Sequence, residues 1–69
     1  MCRSIKKLRR PDEQASDEEI HEAALQYVRK VSGFTRPSRV NSPAFDRAVE
    51  EIAAVSKGLL ESLQTAKTA

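Results

Sequence analysis

The sequence predicts an all-α fold: an antiparallel two-helix hairpin with an irregular or short-helical N-terminal tail, completed by dimerisation into a four-helix bundle. Three observations carry this. Phe45, Val49, Ile52, Ser56, Leu59 and Leu63 recur by alternating steps of four and three, the spacing of one helical face. A second apolar run opens on Ser16-Asp17-Glu18-Glu19 and stops near Gly33, which are helix start and stop signals. Between the two lies Phe34–Ser42, where Pro37 and the turn-formers Ser38, Asn41 and Ser42 interrupt any continuous helix.

Residues 1–15 read as a basic tail that packs on the hairpin. Pro11 disfavours helix at Arg10, so a turn over Ser4–Arg9 ends there. Helix one is expected over 17–31. Ser16 and Glu19 form a capping box, in which each side chain satisfies the other's backbone amide. Asp17, Glu18 and Glu19 suit the positive end of the helix dipole, and Arg29 and Lys30 the negative end. Ile20, Ala24, Tyr27, Val28 and Val31 form the apolar face, and Gly33 supplies the left-handed residue that closes the helix.

Helix two is expected over 42–64. Asn41 is the preferred N-cap, with Ser42 nearly as good. The Asn41 choice pairs Val40 with Phe45 as a hydrophobic staple and puts Pro43 in the first turn, where its missing N–H costs nothing. Residues 65–69 carry no core pattern and are expected to fray. Helix one spans roughly 22 Å and helix two roughly 33 Å, so an antiparallel pair leaves an overhang bearing Leu59, Leu60 and Leu63, which Ile5 and Leu8 of the tail are placed to cover. Two helices and a tail bury little, since a chain of this size covers only about 60% of its unfolded surface. The expectation is therefore a homodimer through the Phe45, Val49, Ile52, Leu59 and Leu63 face.

The composition bounds the function. One cysteine among 69 residues excludes an internal disulfide framework. No stretch approaches the roughly 18 apolar residues of a membrane span. The first ten residues have no apolar run of the signal-peptide kind, so a soluble cytoplasmic protein is expected. The net charge of +2 conceals blocks. Residues 1–10 hold Arg3, Lys6, Lys7, Arg9 and Arg10 without an acid. Residues 11–26 hold only acids, and residues 27–43 hold Arg29, Lys30, Arg36 and Arg39 without one. Glycine-rich phosphate loops, HExxH and paired CxxC motifs are absent. A DNA-binding helix-turn-helix is disfavoured, because that motif turns in about three to four residues and the helix here starts Ser42-Pro43-Ala44-Phe45-Asp46.

The segments MCRSIKKLRRP, ALQYVRKVSGFTRPS and AFDRAVEEIA, taken together, resemble a family of short bacterial proteins designated domain of unknown function 2277. The likeness runs from Met1 to about Leu63, and Asp12 departs from the family's pattern after Pro11. The resemblance implies a bacterial, cytoplasmic, mostly helical protein. It brings no activity, cofactor or catalytic residue with it.

Three candidate sites follow from the residues. Arg36, Ser38 and Arg39, with Arg29 and Lys30 at the end of helix one, form a basic loop end suited to phosphate or carboxylate; a solvated surface is the equal alternative. Arg3, Lys6, Lys7, Arg9 and Arg10 form an electrostatic arm. Cys2 is a candidate thiol site that neighbouring cations would activate, with His21 as its conceivable partner. Burial of Cys2 as a small hydrophobe and solvation of His21 are the favoured readings. No metal or cofactor is expected. The function expected is a small non-enzymatic interaction module that contacts an anionic partner, nucleic acid or an acidic protein surface. The alternative is a thiol-based redox or metal-linked protein acting through Cys2.

Overall fold

A computed structural model describes residues 7–10 and 13–63. Two helices follow in order, α1 over Asp17–Ser32 and α2 over Ser42–Ser62, and no strand occurs among the described residues. Both ends of α1 form as the sequence predicts. The Ser16 hydroxyl accepts from the Glu19 amide at 3.1 Å, and the Glu19 carboxylate accepts from the Ser16 amide at 2.9 Å. Gly33 closes the helix at φ 82°, donating its amide to the Arg29 carbonyl at 2.9 Å. The left-handed turn is open to Gly at no steric cost.

The start of α2 differs in mechanism. Asn41 is the cap residue and Pro43 lies in the first turn, but the Asn41 side chain makes no capping bond. Its Nδ2 donates instead to Ser38 Oγ at 2.9 Å, while its amide donates to the Ser38 carbonyl at 3.1 Å. Asn41 therefore closes a turn with helical backbone angles rather than the extended ones of an ordinary cap. That curl turns Val40 outward to 87% exposure, so the Val40–Phe45 staple does not form.

The helices pack along Ala24 and Val28 of α1 against Phe45 and Val49 of α2, with Leu25, Ala48, Ile52 and Ala53 half-buried around them. A salt bridge of 3.1 Å between Lys57 Nζ and Asp17 Oδ1 ties the start of α1 to the far part of α2. α2 runs on from there for about 8 Å. Leu59 and Leu63 on this overhang remain exposed and Leu60 is half-buried. Leu8 is half-buried, while Ile5 lies outside the described residues. Ser56, on the apolar side of α2, satisfies its hydroxyl by donating to the Ile52 carbonyl at 2.7 Å.

Two expectations about helix faces are corrected. Tyr27 and Val31 do not join the α1 core and are 55% and 67% exposed, because the contact line runs through Ala24 and Val28 and leaves them to one side. Phe45 and Val49, expected to meet a second copy, are buried within the hairpin itself. The apolar side chains left uncovered on α2 are rotated away from that line and include Val55, outside the predicted stripe.

Candidate functional site

The two ends of the hairpin differ in how their charges are used. At the open end, the tail crosses the start of α1. Arg10 donates to both carboxylate oxygens of Glu19, Nη2 to Oε1 at 2.9 Å and Nη1 to Oε2 at 3.2 Å, and its Nε lies 3.7 Å from Glu13 Oε1. Nη2 also reaches the Gln14 carbonyl at 3.4 Å. The same Glu19 Oε1 accepts the Ser16 amide, so the tail is fastened to the capping box. The Arg10 guanidinium, together with the Ser16 amide, holds the Glu19 carboxyl down from its usual 4.5 to about 2. Lys57, hydrogen-bonded to Asp17, is pushed above the usual lysine range. A cleft of about 560 Å³ lies here, lined among others by Arg9, Arg10, Glu13, Lys57 and Glu61.

These contacts change the assignment of the tail. Arg10, expected in an electrostatic arm, is instead drawn into the fold, because a planar guanidinium and a carboxylate pair in a fixed two-bond geometry. Lys7 is exposed, and Arg9 is exposed beside the cleft. Arg3, Lys6 and Cys2 lie outside the described residues, so neither the full arm nor a Cys2–His21 pair is placed. His21 is exposed in a shallow depression with Glu18, Glu50 and Lys57. Among the described residues no group of three or more His, Cys, Asp or Glu side chains could hold a metal ion.

The loop end is built otherwise. Arg29 Nε donates to the Thr35 carbonyl at 3.0 Å, and Ser32 Oγ accepts from the Phe34 amide at 3.1 Å, so the last turn of α1 shapes the loop. Ser38, expected to contact an anion, has its hydroxyl oxygen engaged by Asn41. Lys30, Arg36 and Arg39 are exposed. The salt bridges found among the described residues are Arg10–Glu13, Arg10–Glu19, Arg47–Glu51 and Lys57–Asp17, and none involves the loop-end cations. Beside this end runs an apolar groove of about 300 Å³, formed by Tyr27, Val31, Phe34, Ala44, Ala48 and Ile52 and missed by the sequence reading. The signal was present in Ala44, Ala48 and Val55, which extend the predicted stripe past Ile52 and Leu59 on one side.

The chain belongs to the DUF2277 family, described as an uncharacterised conserved protein, whose family model matches residues 1–69. Searches of curated proteins and of solved structures find no match. Among the described residues, no helix is long and apolar enough to cross a membrane.

Proposed function

We propose that this protein is a non-enzymatic helical interaction module whose loop end contacts an anionic macromolecule. One observation carries the reading: Lys30, Arg36 and Arg39 are exposed in a segment, residues 27–43, that contains no acid. Cations left unpaired by the fold present an attractive field to phosphate or carboxylate at little desolvation cost. Arg36 and Arg39 are the direct contacts, and Arg29 and Lys30 at the end of α1 extend the field. Lys7 and Arg9 add a weaker basic surface at the other end.

The test is a fluorescence-anisotropy titration with mixed-sequence RNA and DNA at low and high salt, on the wild type and on the Arg36→Glu/Arg39→Glu variant. Binding that weakens with salt and collapses in the variant supports a polyphosphate partner, because released counterions set that slope. Absence of binding at low salt removes nucleic acid and directs the search to acidic proteins. Binding unchanged by the double reversal removes the loop.

A further inference from the structure

The described hairpin is one layer of helices. Two helices in contact form a single layer, and the thinnest extent of the chain is 15 Å against 26 and 47 Å in the other directions. The buried core is Ile20, Ala24, Val28, Phe45 and Val49, all at the contact between the two helices or the start of α1. Stable domains generally pack two layers around a core. This layer has one polar side, with Glu18, His21, Glu50 and Lys57, and one apolar side. On the apolar side Tyr27, Val31, Val55 and Leu59 stand 55%, 67%, 73% and 58% exposed, with the groove over Ala44, Ala48 and Ile52 between them.

We propose that a second copy of this chain covers that apolar face, packed head to tail, so that two hairpin layers make a four-helix dimer. The area is sufficient. A strip about 32 Å long on α2 and one about 24 Å long on α1, each about 10 Å wide, cover roughly 560 Å² per protomer, or about 1,100 Å² in total, just above the ~1,000 Å² a specific interface needs. The exposed Tyr27, Val31, Val55 and Leu59 fall within this face, and contiguous exposed apolar side chains of this kind mark interaction surfaces. Size complementarity favours self-association. Ala44 and Ala48 are small, Val55 and Leu59 are large, and Ile52 lies between them. An antiparallel twofold about the middle of α2 therefore sets each protomer's large residues over its partner's small ones.

Charge selects the same direction. Residues 27–43 at the loop end hold Arg29, Lys30, Arg36 and Arg39 with no acid, whereas at the other end Asp17 and Glu19 are met by Lys57 and Arg10. Head-to-tail packing holds the two basic loop ends apart, whereas parallel packing would bring them together. Each basic loop thus stays at a far end of the assembly. The interface differs from the one the sequence suggests, since Phe45 and Val49 are internal and Val55, Tyr27 and Val31 take their place.

The experiment is light scattering on the full chain across a micromolar concentration series, with circular dichroism on every variant. The wild type is expected at twice the 7.7 kDa chain mass. Val55→Asp, on the apolar face, is expected at the single-chain mass with its helix signal retained. Ala54→Asp, one residue earlier and on the side of Glu50 and Lys57, controls for helix propensity and is expected to stay dimeric. Raising the salt is expected to leave the dimer no stronger, because head-to-tail packing already holds the like-charged loop ends apart. A monomeric wild type, a dimer that survives Val55→Asp, or equal disruption by Ala54→Asp overturns the proposal. A dimer strengthened by salt overturns the head-to-tail arrangement.

Discussion

The open end and the loop end of the hairpin carry similar numbers of charges and use them differently. At the open end Arg10 grips Glu19, Lys57 meets Asp17, and the capping box shares a carboxylate oxygen with the tail. At the loop end the hydrogen bonds are made mostly by small polar groups, Asn41 to Ser38 and Phe34 to Ser32, while Lys30, Arg36 and Arg39 face solvent. The difference teaches that a basic block in a sequence is not one kind of thing. Where an acid that already serves a helix cap lies within reach, an arginine becomes part of the fold. Where turn chemistry is handled by hydroxyls and amides, arginines remain available to a partner.

The largest expected effect unites the two ends rather than separating them. Phe45 is the largest side chain of the shared core, at 7% exposure. Phe45→Ala is expected to cost about 3 kcal/mol, enough in a domain this small to abolish cooperative urea unfolding followed by circular dichroism. The next contrast uses one substitution at both ends. Gly33→Ala forces a Cβ onto a backbone at φ 82°, with no neighbour within 4 Å, so the cost is backbone strain of about 1–2 kcal/mol. Gly58→Ala, mid-helix and equally open, is expected to gain roughly 1 kcal/mol. Opposite shifts of the urea midpoint check the pair.

Acid sharpens the contrast further. Glu19 has its carboxyl lowered in the fold to about 2 from the usual 4.5. A group whose folded value is depressed stabilises fully above its unfolded value and loses that contribution as pH falls towards the folded one. The open end is therefore expected to loosen between about pH 4.5 and pH 2, ahead of the loop end. Glu19→Gln is expected to flatten that dependence, as read by amide exchange at Ser16, whose N–H the carboxylate accepts.

Much of this was legible in the sequence because its signals are local. Ser16, Glu19 and Gly33 act within a few residues of themselves, and the bounds of α1 followed from them. The facing of α2 was not legible. Its apolar residues span a broad arc from Ala44 through Ile52 to Ala53, and periodicity alone cannot say which part of a broad arc meets a neighbour. Small Ala24 opposite bulky Phe45 drew the contact line to that edge and left Val55 outside. The link from Arg10 to Glu19 spans nine residues across Pro11, beyond any helical spacing, and only the structure joins them. For the site, the loop-end cations were found from charge blocks, whereas the groove beside them depended on the unread facing of α2.

The most direct measurement compares urea midpoints and amide exchange for the wild type, Arg10→Ala and Arg36→Ala/Arg39→Ala. Arg10→Ala is expected to lower the midpoint and speed exchange around Ser16 and Glu19. The loop double variant is expected to stay within about 0.5 kcal/mol of the wild type, as surface substitutions away from structural contacts do. If the loop variant were destabilised as much as Arg10→Ala, the loop-end cations would be structural too, and the division of labour between the two ends would be contradicted.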